Sequence, residues 1–302
     1  MTTPHAGRAR GYAYALGAYT TWGLIPVYFK AVASAPALEL LAHRIFWAFV
    51  MLIGVGLYLD RPAELGRAVR DRAVLARLSV STVLIALNWL IYIWAVFNSR
   101  IVEASLGYFL NPLVNVVLGV LVLKERLERP VAIALLIAAA GVLILVVLSG
   151  HPPWIAIGLA LCFGSYGLVR KLTPGVSAVA GLTVETALLT PLALGYLLLA
   201  RSQGTLAFGH GSAWRDLLLL LSGPITAIPL LLFAGAVRRL PLSTLGLLQY
   251  VSPSVQLLLA VLVYHEPFTA PRAVAFSLIW LALAVFAAHS FRRHAAEPVV
   301  EP

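Results

Sequence analysis

Two ionisable residues stand inside otherwise apolar runs, Arg44 in LLAHRIFWAF and Glu185 in GLTVETALLT. Inserting such a side chain into hydrocarbon costs at least ~2.5 kcal/mol, so its presence there calls for a partner, a ligand or a proton. Arg44, with His43 beside it, suits an anionic group on a bound solute. Glu185 suits an ammonium group or a proton. Amides and aromatics accompany them. Tyr108, Asn111 and Asn115 are spaced i, i+3, i+7, and Gly246, Gln249, Pro253 and Gln256 are spaced i, i+3, i+7, i+10, so each set lies on one helical face. The run ALNWLIYIWAVFN adds Asn88, Trp89, Tyr92 and Trp94, and Tyr19 and Trp22 are internal to the first apolar run. Unpaired amides are costly in hydrocarbon, so these faces turn inward, to neighbouring helices or to a wet cavity. Interhelical hydrogen bonds, worth only ~0.6 kcal/mol on average, account for any one amide equally well. The duplicated faces, each with a helix-weakening proline, favour a cavity partly lined by aromatics.

Bond-making chemistry has little to work with. FGSYG, at 163–167, lacks the first glycine of a nucleophile elbow, and His43 is the one histidine well inside a run. The aspartates sit at the edges of apolar runs, so no intramembrane carboxylate pair forms. One cysteine, no H-E-x-x-H and no clustered carboxylates argue against a metal, and no phosphate-binding glycine loop is present. The expectation is no enzyme and no cofactor. A channel would need a continuous polar lining, which scattered amides do not supply.

The elements that must position these residues are transmembrane helices. Of 302 residues, 61% are hydrophobic and 11% charged, with mean hydropathy +0.93, far from a soluble domain. Runs long enough to cross ~30 Å of hydrocarbon recur at 11–33, 37–59, 78–98, 101–123, 129–149, 153–171, 177–201, 214–237, 243–264 and 269–291. The longest connection, 60–77, carries Arg61, Arg67, Arg70, Arg72 and Arg77 among Leu65, Ala68, Val69 and Leu75, the pattern of an interfacial helix on anionic lipid. Arg8 and Arg10 before an apolar run that ends near Ala31–Val32–Ala33 could mark a signal peptide, but Trp22, Pro26 and Lys30 interrupt that run, and it reads as a retained helix. Cys162 falls within a span and reads as a small packing residue.

The net charge of +10 is a topology signal and not a nucleic-acid footprint. With the N-terminus inside, sixteen Lys and Arg fall on inner connections and five (Lys30, Arg100, Arg201, Arg215, Arg272) on outer ones. The positive-inside rule then puts both termini in the cytoplasm. The cluster Lys124, Glu125, Arg126, Glu128 and Arg129 marks the inner boundary of the fourth span, and Glu125 with its counterpart Glu266 suits contacts between spans at opposite faces.

At an offset of 141 the segment PLVNVVLGVLVLKE, from Pro112, aligns with PSVQLLLAVLVYHE, from Pro253, with seven of fourteen positions identical. Gly17, Gly23 and Lys30 meet Gly158, Gly164 and Lys171 at the same offset. The chain is therefore read as two five-helix units, 11–149 and 153–291. An odd number of helices per unit makes the second inverted relative to the first, and such pairs place a substrate site at their interface near the midplane. Arg44 and Glu185 are equivalent under this offset. Each lies about four residues from its helix midpoint, on opposite sides of the membrane centre, which separates their backbones by roughly 12 Å and disfavours a direct pair.

HRIFW from His43, NWLIYIWAV from Asn88, EASLGYFLNPLVNVVLG from Glu103, YGLVRK from Tyr166 and LSTLGLLQYVSP from Leu242 resemble the RarD branch of the EamA family, in the drug/metabolite transporter superfamily. The match is in order and covers nearly the whole chain. It implies an all-α inner-membrane protein of ten helices in two EamA repeats that moves small metabolites, commonly outward. It also adds Tyr166 to the candidate substrate-binding residues. RarD proteins are associated by name with chloramphenicol sensitivity, and relatives export amino acids and similar solutes. The expected protein is an alternating-access carrier whose cavity is built by spans one to four and six to nine, with the fifth and tenth peripheral and available to a homodimer. Its partners would be a small solute and the lipid bilayer, with small-drug efflux the second reading.

Overall fold

The structure, a computed structural model, describes residues 4–58, 62–124, 127–237, 239–240 and 242–296. Among the described residues it is all-helical: α1 (Pro4–Ala31), α2 (Ala37–Tyr58), α3 (Pro62–Arg70), α4 (Arg72–Phe97), α5 (Ile101–Leu123), α6 (Arg129–Ser149), α7 (Trp154–Lys171), α8 (Ala178–Ser202), α9 (Ala213–Val237), α10 (Leu242–Leu248), α11 (Val251–Leu258), a π turn (Leu259–Val263) and α12 (Ala270–Ala296). Arg61, Glu125 and Arg126, read above as loop or boundary charges, and Arg238, one of the sixteen inner cations, lie outside the described residues.

Helices fall at each of the ten expected spans, and among the described residues eight helical segments are long and apolar enough to cross a membrane. α1 and α7, the first helices of the two units, do not reach that apolarity; both are packed among helices of the opposite unit, which reduces the surface they must present to lipid. The interfacial helix is shorter than expected. It ends at Arg70, and the chain re-enters a helix at Arg72 because Asp71 caps it, its Oδ1 accepting from Ala73 N at 2.9 Å and Val74 N at 3.2 Å. The third span thus begins about a turn and a half before its apolar run. The ninth span is broken: Gln249 and Tyr250 form a turn between α10 and α11. Pro253 cannot donate to the Gln249 carbonyl and its ring crowds that oxygen, so the helix gives way one turn earlier. α5 stays continuous through Pro112.

The most extensive packings all join helices of 11–149 to helices of 153–291: α6 with α12, α5 and α4 with α7, α2 with α8 and α9, and α1 with α9 and α11. Exchanging every helix for its counterpart reproduces each of these pairings except α2 with α9, whose counterpart, α8 with α4, packs less extensively. The match reaches single atoms. A Cβ on Gly23 of α1 would lie 2.7 Å from Val255 Cβ of α11, and one on Gly164 of α7 would lie 2.7 Å from Val114 Cγ1 of α5. Both residues of each contact are related by 141. Only glycine lets these backbones approach so closely.

The start of α1, the end of α12, α3 and the ends of α5, α7 and α9 share one face, the terminal face. The connections after α1, α4, α6, α8 and the π turn share the other, the far face.

Candidate functional site

Arg44 enters from α2, two turns below the far face, and is buried. Its Nε donates to Thr226 Oγ1 on α9 at 2.9 Å, and Thr226 in turn donates to Ser222 O at 2.8 Å. The guanidinium carbon lies 4.4 Å from the Trp89 ring centre and 5.6 Å from that of Phe29, within cation–π range. The hydroxyls of Tyr28, Tyr92 and Tyr108 are within its electrostatic reach. Among the described residues no carboxylate pairs with it. A buried cation held by aromatic faces and one hydroxyl retains the capacity to bind an anion.

The neighbouring rings are fixed by interhelical bonds. Asn88 Nδ2 donates to Leu159 O of α7 at 3.3 Å, and Asn88 Oδ1 accepts from Tyr108 OH of α5 at 3.3 Å. Tyr108 stands edge-on to Tyr92 with ring centres 5.5 Å apart, and Tyr92 packs on Phe29 at 5.8 Å. The Tyr92 hydroxyl is buried without a hydrogen-bond partner among the described residues.

Glu185 occupies the equivalent place on α8 and is fully buried. Oε1 accepts from Ser81 Oγ of α4 at 2.5 Å and Oε2 from Tyr166 OH at 3.2 Å, while Arg170 Nη1 stands 3.8 Å from Oε1. Arg44 and Glu185 do not pair. Phe29 against Arg44 and Arg170 against Glu185 are the same repeat contact with its chemistry changed, because 29 and 170 are also related by 141. Both oxygens of Glu185 are engaged, so an ammonium group would have to displace protein donors.

The other candidates are dispersed. His43 departs from the expectation that it assists Arg44. One residue along a helix turns the side chain by about 100°; its Nδ1 accepts from Trp47 Nε1 at 3.2 Å and its ring packs on Phe208 at 4.9 Å. Gln256 is buried and serves as glue, its Nε2 donating to Trp22 O of α1 at 3.2 Å. Trp22 belongs to a separate ring cluster with Tyr19 and Phe233. Asn111 is buried with its Oδ1 unpartnered, Asn115 is exposed beside Gly164, and Gln249 lies half-buried in the α10–α11 break. A cavity of about 410 Å³ opens at the far-face rim between α5, α6 and α12, lined by Glu103, Leu148, His151, Arg272 and Phe276 among others. It does not include the Arg44 or Glu185 clusters.

Ser81, Thr226, Phe29 and Arg170 were missed in the sequence. Short hydroxyl side chains in apolar runs give no signal by themselves, and Arg170 reads as a boundary charge. The offset of 141, applied to the residues one helix away from Arg44 and Glu185, contains the signal for Phe29 and Arg170.

The pattern of the EamA-like transporter family matches residues 9–147. Full-length similarity extends the match. The uncharacterized transporter YojE of Bacillus subtilis is 45% identical, covering 93% of this chain and 95% of that protein. The chain belongs to the EamA family. Protein RarD of Escherichia coli, 43% identical over 92% of this chain and 93% of its own, places this EamA protein beside the RarD proteins, and with them in the drug/metabolite transporter superfamily. The chloramphenicol-sensitive protein RarD of Pseudomonas aeruginosa is 31% identical over 91% of the chain and 92% of that protein. A solved crystal structure superposes with a TM-score of 0.59, covering 92% of this EamA chain and 97% of its own at 20% identity, a likeness of fold. The EamA protein is a multi-pass membrane transporter.

Proposed function

We propose that this EamA protein is a secondary carrier that exports small metabolites, amino acids and related amphiphilic solutes across the cytoplasmic membrane by alternating access. In this reading both termini are cytoplasmic, the units 11–149 and 153–291 are inverted repeats, and the terminal face is the inner one. Arg44 carries the proposal: it is a buried guanidinium over Trp89 with no carboxylate partner among the described residues. The solute's anionic group docks on Arg44 and its apolar body lies against Trp89, Tyr92 and Tyr108. The matched helix packings and the duplicated glycine contacts support the repeats. The broken ninth span supports a carrier, since discontinuous helices are a recurrent feature of transporter sites. Because the extensive packings cross between units, the parts that rock against each other are bundles of helices drawn from both. The exposed faces of α6 and α12 are where a second copy would pack.

Uptake of radiolabelled amino acids into proteoliposomes, with and without a pH gradient, tests the reading. Wild-type protein moves a carboxylate-bearing solute, and Arg44→Ala abolishes that flux while the protein stays folded. Wild-type flux unchanged by Arg44→Ala overturns the anchor. Small-drug efflux is the second reading, favoured by the separate Tyr19, Trp22 and Phe233 cluster, which offers an uncharged aromatic surface. Flux of a neutral aromatic solute that survives Arg44→Ala would select it.

A further inference from the structure

We propose that Glu39, Glu103 and Glu266 form a gate that holds the carrier shut at its far face, an assignment that rests on the alternating-access reading. Each is buried, each stands at a helix end on that face, and each spans the seam between the two units. Glu39 of α2 accepts from Ala207 N at 2.9 Å and Phe208 N at 2.8 Å, in the connection between α8 and α9. Glu266, after the π turn, accepts from Ile101 N and Val102 N, both at 2.9 Å. Glu103 of α5 accepts from Ile155 N of α7 at 3.1 Å.

Ile101, Val102 and Ile155 lie in the first turns of α5 and α7, where unsatisfied N–H groups and the helix dipole favour a negative charge. Away from water the bonds of Glu39 and Glu266 cannot be exchanged cheaply for hydration, so they act as fasteners and not as surface decoration, while Glu103, which borders the rim cavity, also meets Arg100 at 3.6 Å. Lys30 adds to the same seam through Tyr264, its Nζ lying 5.6 Å from that ring centre while donating to Ser99 Oγ of its own unit at 2.8 Å.

The terminal face is tied differently. Arg77 Nη1 donates to Leu172 O at 2.6 Å where solvent reaches it, Glu128 with 40% of its side chain exposed meets His289 at 2.8 Å, and a half-buried Glu64 accepts from Ser177 N at 2.6 Å. Water competes for every one of these groups. The buried bonds across the seam deeper on that side are Ser81 to Glu185 and Tyr19 OH to Leu245 O, at 2.5 and 3.1 Å. Nor is the far-face set inherited from duplication. The repeat counterparts of Glu39 and Glu103 are Ala180 and Thr244, while Glu266 keeps an acidic counterpart in Glu125, outside the described residues. Two of the three fasteners therefore belong to one face only. Opening to the far side requires their backbone bonds to be released together, whereas opening to the terminal side disturbs none of them.

Thiol accessibility in proteoliposomes of the full chain tests the gate. In a Cys162→Ala background, Ala156→Cys reports on the far-face seam, since Ala156 is buried beside Ile155, and Thr173→Cys reports on the terminal side. A membrane-impermeant maleimide labels the first slowly. Glu39→Gln with Glu266→Gln places an amide N–H₂ against backbone donors and is expected to speed that labelling about tenfold or more, as the open population rises. Labelling at Thr173→Cys should stay level or fall. Faster labelling at both positions would indicate general loosening, and no change at Ala156→Cys would show that the bonds do not hold the face; either result overturns the gate. The readout needs no solute, so a failed flux assay and a failed gate are separate outcomes.

Discussion

Ser81→Ala removes the shortest hydrogen bond to a fully buried carboxylate, that from Ser81 Oγ to Glu185 Oε1 at 2.5 Å. A bond to a charged acceptor is worth about 1.5–3 kcal/mol. The same hydroxyl lies 2.9 Å from Leu78 O, so its proton has a second acceptor, and the lower part of that range applies, about 1.5–2 kcal/mol. In a Glu185→Gln background the bond is between neutral groups and the same substitution should cost only about 0.5–1 kcal/mol. The two estimates differ by about 1 kcal/mol, the expected interaction energy of the cycle. Reversible unfolding of the four proteins in detergent–denaturant mixtures measures it. Equal losses in both backgrounds would refute the claim that Ser81 acts through the charge on Glu185. A loss below about 0.5 kcal/mol in the parent would refute the bond itself.

Other consequences test different links. Gly164→Leu would set a new Cβ 2.7 Å from Val114 Cγ1, so Val114 must move, and should destabilise by about 1–3 kcal/mol in thermal unfolding; Gly23→Leu should do the same against Val255. Pro253→Ala restores the missing N–H and lets α10 join α11, so thermal stability should hold or rise while flux in proteoliposomes falls. Tyr92→Phe removes a hydroxyl with no hydrogen-bond partner, so stability should change by less than about 0.5 kcal/mol. If that hydroxyl meets the solute, KM should rise with stability unchanged.

Apolar runs made the helices legible because hydrocarbon allows few alternatives to a helix. Asp71 shows the limit: an N-cap in an arginine-rich stretch starts α4 before its apolar residues begin. Pro253 was legible as a weak point, but Pro112 carries the same residue in an unbroken helix, so packing decides between kink and break. For the site, charge inside apolar sequence located Arg44 and Glu185, and the repeat made them equivalent. It could not tell which aromatic neighbours Arg44 or which cation meets Glu185, since those contacts cross between units and depend on tertiary packing. Asn88 and Gln256 show what an amide in an apolar run leaves open: each donates to a backbone carbonyl of a neighbouring helix, and only the packing names which one.

The cross-unit packing also sets an order of events during synthesis. α1 rests on α9 and α11, and α2 on α8 and α9, none of which exists when the first half leaves the ribosome. At roughly 5–20 residues per second, the first helices wait on the order of ten seconds for their permanent neighbours. Through that interval Arg44 has its first-half neighbours Phe29 and Trp89 but lacks Thr226. Nascent chains of this protein should therefore be most exposed to membrane quality control just before α9 is inserted. The two halves, expressed as separate polypeptides, should be degraded alone and rescued when made together.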